Sequence, residues 1–205
     1  MRRDFDPAEM DGGAFYQLLN SVVVPRPIAW VSSVSPDGVD NLAPHSFFTV
    51  ASVSPPIVQF TSVGRKDSLT NIEASGEFVV ALTPEPLFEQ VNATGTDFPA
   101  GTSEFDAVGL DREPSLRVAA PRVAASPVAL ECVLHSTVSF GGSTVVFGRV
   151  VHAAVDDAVL DGDHPEITRL LPLSRLGANE WGTAGEIRDI ARIRYADWPE
   201  GYRPA

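Results

Sequence analysis

Residues 128–154 read VALECVLHSTVSFGGSTVVFGRVVHAA, and this stretch decides the fold. Val128–Phe140 and Thr144–Ala154 are rich in β-branched and apolar residues, as strands are. Between them Gly141-Gly142 is a hairpin signal, since a two-residue turn needs positive φ that glycine supplies without steric cost. Upstream, Phe78–Leu82, Ile57–Val63 and Ile28–Ser35 read as shorter apolar strands. Pro36-Asp37-Gly38 is a turn. Leu42–Val53 is a further run, interrupted by Pro44; a proline inside a strand marks an edge or a bulge. Ser54-Pro55-Pro56 ends it.

Helices are few. Met10, Ala14, Leu18 and Val22 recur at helical spacing around Phe15 and Leu19, which predicts a helix over 8–22, stopped by Pro25 and Pro27. Asp67–Ala74 and Glu85–Ala93 read as helices, with a short one near Ile167–Leu171. Thr94–Pro121 reads as a long excursion with little regular structure. About six strands with so few helices argue for an antiparallel barrel or sandwich. A doubly wound sheet would need a helix after nearly every strand.

The 205 residues predict a single domain, 1–205, of ordinary globular composition. No run approaches the roughly 20 apolar residues of a membrane span, and MRRDFDPAEMDGG at the start has no apolar stretch, so neither a membrane anchor nor a secretory signal is expected. The formal charge of −12 would repel nucleic acid, which is not an expected partner. Cys132 is the only cysteine; it is expected to be a buried structural thiol, and a cytoplasmic setting follows by default. His45, His135, His152 and His164 lack metal-ligand spacing, so no metal is expected. There is no nucleophile elbow, no Walker loop and no GxGxxG fingerprint.

Three segments carry chemistry. In Arg65-Lys66-Asp67-Ser68, with Asn71 behind it, Asp67 reads as a helix N-cap and Ser68 as the first helical residue. Two basic side chains before a helix N-terminus, plus a hydroxyl, make a compact phosphate site; a capped surface helix is the alternative. Lys66 is the only lysine in the chain. In Asn41-Leu42-Ala43-Pro44-His45-Ser46-Phe47-Phe48, Pro44 removes an N–H and leaves backbone groups for a flat polar ligand; a bulged strand is the alternative. In Pro25-Arg26-Pro27-Ile28-Ala29-Trp30-Val31-Ser32-Ser33 the prolines fix an extended approach to a strand.

Taken in order, PRPIAWVSS, NLAPHSFF, VSPPIVQF and GRKDSLTNI, then VVFGRVV and LPLSRLGANEW, resemble the flavin reductase and flavoredoxin family over about residues 14–185. The resemblance implies a mainly β fold, an antiparallel, Greek-key-like FMN-binding split β-barrel with peripheral helices. It implies a homodimer with FMN at the subunit interface. Asn41, Leu42, Ala43, Pro44, His45, Ser46 and Phe47 would line the ring and ribityl; Ser62, Arg65, Lys66, Asp67 and Ser68 would hold the phosphate, with Asn71 supporting the helix start. Two departures stand out. His45 occupies a place where relatives often carry an aromatic, and Glu180-Trp181 replaces a tyrosine-containing end. The implied activity is an NAD(P)H-dependent flavin reductase, with NADH or NADPH as co-substrate and a monooxygenase or other electron acceptor as possible partner. A flavoredoxin-like carrier and a non-catalytic flavin-binding module are the alternatives. Hydride transfer needs alignment rather than a general base, so no catalytic residue is named.

Overall fold

The computed structural model describes residues 1–99 and 101–198. In the first half, α1 is Gly12–Val22, β1 Arg26–Pro27, β2 Ala29–Val34, β3 Asp40–His45, β4 Phe48–Ser52, β5 Ile57–Val63, α2 Asp67–Ser75, β6 Glu77–Ala81 and α3 Phe88–Ala93. Then follow α4 Glu104–Val108, β7 Arg112–Glu113, β8 Arg122–Val123, β9 Val128–Phe140 and β10 Ser143–Val155. Short pieces close the chain: β11 Leu160–Asp161, β12 His164–Pro165, α5 Ile167–Leu170, β13 Ser174–Arg175 and β14 Trp181–Gly182.

Seven strands form one antiparallel sheet in the order β3-β2-β6-β9-β10-β5-β4. The β9–β10 hairpin turns on Gly141-Gly142, with Ser143 opposite Phe140 and Gly141 at φ 57°. The two edge strands, β3 and β4, are neighbours in sequence, separated only by Ser46 and Phe47. So short a link spans at most about 10 Å, so the edges must meet and the sheet must roll into a barrel. The Thr61 N–H donates to the Phe47 carbonyl at 2.9 Å, extending the β4–β5 ladder into this link.

Alternation places Ala29 and Val31 of β2 in a core with Val58, Phe60, Leu69, Ile72, Phe78, Val80, Cys132 and Val146. Trp30, on the opposite face, joins Leu42, Ala81, Val91 and Phe105. With both faces covered, Ile28–Val31 reads as an unbroken apolar run rather than an alternating one. Cys132 is buried and its thiol is pushed up to about 12 by burial and then by the Glu131 charge; it is inert packing. Gly148 approaches the Phe78 ring so closely that a Cβ there would fall 2.2 Å from its Cζ.

The structure revises several boundaries. The first helix begins at Gly12, not residue 8, because Asp11 caps it and accepts from the N–H groups of Gly13 and Ala14. The run 42–53 is two strands, broken where the chain crosses the seam. The 94–121 excursion holds α4 and half of the β7–β8 ribbon. It is tied down by Glu131 of β9, which accepts from the Leu116 and Arg117 N–H groups and from Arg122. Ser174–Arg175 and Trp181–Gly182 form a three-stranded sheet with β1. Among the described residues, no helix is long and apolar enough to cross a membrane.

Candidate functional site

A cleft of about 430 Å³ opens beside the seam, within the size range of ligand sites. One wall is β3 and the link after it: Asn41, Ala43, Pro44, His45, Ser46 and Phe47. Thr61 and Val63 of β5 and the start of α2, with Arg65, Lys66, Asp67 and Ser68, also line it. The Thr94–Phe98 loop closes a third side, and Tyr16 of α1 and Glu104 of α4 complete the lining. Trp30 holds that loop in place: its buried indole N–H donates to Thr94 Oγ1 at 2.8 Å, and the Thr94 hydroxyl caps α3 through the Val91 carbonyl.

The start of α2 differs from the expected capping by one residue. Lys66, extended at φ −85° and ψ 165°, occupies the N-cap, and Asp67 is already helical. No side chain caps this end, so the first N–H groups of the helix remain available to a ligand. Arg65 pairs with Glu73 at 2.7 Å, and Lys66 with Asp97 at 2.8 Å, on exposed side chains. The Lys66 ammonium draws the Asp97 carboxyl below its ordinary value.

A chain of hydrogen bonds runs under the cleft. Glu104 accepts from Asn41 Nδ2 at 2.9 Å and from the Leu42 N–H at 2.8 Å. Asn41 Oδ1 accepts from Ser68 Oγ at 2.9 Å, and His45 Nε2 lies 3.3 Å from that same oxygen. With its one proton given to Asn41, Ser68 meets other groups as an acceptor. Burial raises the Glu104 carboxyl, assisted by the Asp67 charge, against the lowering effect of the Leu42 and Asn41 bonds. Burial depresses His45 to about 4, although contact with the Thr61 backbone opposes the shift. Its ring is neutral at pH 7 and lies 4.6 Å, centre to centre, from Phe60. The Leu42 N–H points away from β2, and by strand periodicity Pro44 shares that edge, offering a carbonyl and no N–H.

The architecture matches a described sequence family. A family model, the flavin reductase-like domain, matches residues 21–171. The chain belongs to the flavin reductase-like family. It is a flavin oxidoreductase by that membership. An uncharacterised protein of Deinococcus radiodurans is 39% identical over 214 residues, covering 97% of this chain and 93% of its own. Component B of nitrilotriacetate monooxygenase from Bacillus cereus superposes with a TM-score of 0.89 at 29% identity, over 93% of this chain and 99% of that one. The 2-nitrobenzoate 2-nitroreductase of Pseudomonas fluorescens gives 0.88 at 28%, over 94% and 98%.

Ten of the thirteen residues singled out in the sequence line the cleft of this flavin reductase-like chain. Leu42, Ser62 and Asn71 do not. The Leu42 side chain is in the core. Ser62 is buried and donates to the Gly64 carbonyl at 2.9 Å, and Asn71 donates to Ser33 Oγ at 3.2 Å. His152 lies in β10 opposite Glu131, outside the cleft lining. Sequence reasoning missed Glu104, Thr61, Val63, Tyr16 and the Thr94–Phe98 loop. For Glu104 a signal exists: Ser103 and Asp106 have the spacing of a capping box, which would have placed a helix start inside the excursion. Among the described residues no group of three His, Cys, Asp or Glu side chains is placed to hold a metal.

Proposed function

We propose that this cleft holds FMN and that the protein is an NAD(P)H-dependent flavin reductase working as a homodimer. One observation carries the reading: Arg65, Lys66 and the uncapped start of α2 line a single cleft together with β3 and the link after it. A dianionic phosphate needs charge and directed N–H donors, and a flat heterocycle needs a polar backbone edge; the one cleft offers both. The donor set fits the group. Arg65 and Lys66 would take the phosphate, with the α2 N–H groups behind them. Asn41, Ala43, Pro44, His45, Ser46 and Phe47 would line the ring and ribityl. Leu42, Ser62 and Asn71 would act behind this lining, fixing β3, the end of β5 and α2. Asp67 adds a charge that a phosphate must tolerate at this corner.

When bound, the flavin supplies the hydride-accepting chemistry. The protein's part is to bind, orient and keep water out. Neutral His45 and the chain ending at Glu104 hold the floor of the cleft in one geometry. The homodimer is supported by α1, which buries none of its residues and presents Tyr16, Leu19 and Val22, followed by exposed Val23 and Val24. Because Tyr16 also lines the cleft, a partner docked on α1 would cover its open side. Kinship with a monooxygenase component B supports an acceptor partner such as a monooxygenase. A cytoplasmic setting suits a reductase with an unpaired thiol.

The test is the absorbance of purified protein mixed with FMN and passed through a desalting column, followed by NADH and NADPH. Bands near about 370 and 450 nm that bleach with either nicotinamide are expected. Retained flavin that neither nicotinamide reduces would identify an electron carrier instead, and protein that retains no flavin and accelerates no flavin reduction would end the proposal.

A further inference from the structure

The small sheet β1-β13-β14 places Arg26 directly opposite Arg175, and Arg175 directly opposite Trp181. Directly opposed residues share a face, and like charges so placed repel. Among the described residues neither arginine has a carboxylate within ion-pair distance. Arg26 is buried and spends its terminal nitrogens on the carbonyls of Asn20, Val23 and Leu176; its Nε has no partner. Burial, and after it the Arg175 charge, push its guanidinium down. Arg175 is half-buried, lies over the Trp181 ring at 4.6 Å, and gives one N–H to the Ala178 carbonyl at 2.9 Å. In a chain of net charge −12, two facing arginines without an acid leave a local positive spot to be neutralised.

Arg175 and Trp181 line a second cavity of about 240 Å³, with Ile28, Asn92, Pro44, Ser46 and Gly95. The last three also line the main cleft, so the two spaces adjoin. Ile28, Pro44 and Trp181 supply apolar walls, Arg175 supplies fixed charge with unspent donors, and Asn92 supplies a neutral amide. Its volume is of the order of a single-ring molecule and well below that of a dinucleotide. The combination suits a planar ring bearing one carboxylate.

We propose that this cavity is a subsite for a small aromatic carboxylate, which it holds beside the flavin as a substrate or effector. The carboxylate sits on Arg175 and the ring lies against Pro44 and Trp181. The flavin's position rests on the function proposed above; the anion site itself does not.

Benzoate is the probe, titrated by calorimetry into the flavin-loaded protein, with benzamide as its uncharged counterpart. Benzoate is expected to bind, and benzamide to bind far more weakly. Arg175→Gln is expected to weaken benzoate by about ten- to a hundredfold, to leave benzamide unchanged and to keep FMN content and melting temperature. Arg175→Lys, which retains charge but not the planar fork, is expected to fall between the two. No benzoate binding at millimolar concentration, or equal affinity in wild type and Arg175→Gln, overturns the subsite. So does an Arg175→Gln variant that raises the KM for NADH while benzoate fails to bind, because the anion would then be a dinucleotide phosphate. Loss of the flavin reading appears separately, as missing flavin absorbance before any benzoate is added.

Discussion

Lys66 Nζ lies 2.8 Å from Asp97 Oδ1, joining the start of α2 to the loop that follows α3. The only lysine in the chain is thus occupied by a carboxylate at the point where a phosphate would sit. Both side chains are exposed, so the pair is weak and easily exchanged. Asp97→Asn is expected to tighten FMN about two- to fivefold, and Lys66→Ala to weaken it about tenfold. Riboflavin, lacking the phosphate, should respond to neither. Flavin fluorescence titrations of both ligands against the three proteins check this; equal weakening of both ligands in Lys66→Ala would move the basic pair away from the phosphate.

His45 carries a pH dependence. Its folded value of about 4 is below the ordinary histidine value, so between about pH 6.5 and 4 the unfolded chain binds a proton that the folded chain refuses. Stability is full above that window and is lost as pH falls through it. His45→Phe is expected to flatten this slope, removing about 1–3 kcal/mol of acid sensitivity. Urea unfolding at several pH values between 7 and 4 is the measurement; parallel curves for the two proteins would show that His45 titrates normally.

Glu104 accepts from both Asn41 and the Leu42 backbone. Glu104→Ala strands a buried backbone N–H and an amide, at a cost of about 2–4 kcal/mol. Denaturant midpoints check this. Flavin affinity should fall with stability, because Asn41 and Ser68 lose their fixed orientation; a stable variant with unchanged affinity would make Glu104 a spectator.

At Gly148 an added Cβ would meet Phe78 Cζ at 2.2 Å and Cys132 Cβ at 3.2 Å. Gly148→Ala is expected to destabilise by about 2–4 kcal/mol, since neither neighbour can move without disturbing the core. Thermal melts decide; a loss below about 1 kcal/mol would mean that the Phe78 ring can turn aside.

The unburied apolar face of α1 is expected to lie between subunits. Leu19→Asp should convert a dimer to a monomer in light scattering at micromolar concentration. Wild type that is monomeric with FMN bound would contradict the homodimer directly.

The strands were legible because alternation and turn residues are local: the β9–β10 hairpin appears in the sequence within one residue of its true ends. The break at Ser46-Phe47 was not, because it is set by which edges meet, and a run of apolar residues looks the same on either side of a seam. Arg65, Lys66 and the β3 residues were found through adjacency in sequence. Glu104 was missed because its burial depends on α4 docking against β3, 62 residues away from Leu42. The Arg26–Arg175 opposition was equally hidden, since two-residue strands leave no periodicity to read.

The seam has a mechanical consequence. A barrel is a hoop, and this hoop is fastened between β3 and β4 chiefly by a two-residue tie. A molecule seated between β3 on one side and β5 with α2 on the other bridges that fastening and acts as a clasp. Occupancy should therefore tighten the whole circumference, slowing amide exchange along β3 and β5 far beyond the residues it touches. The empty barrel would open first at its own binding site.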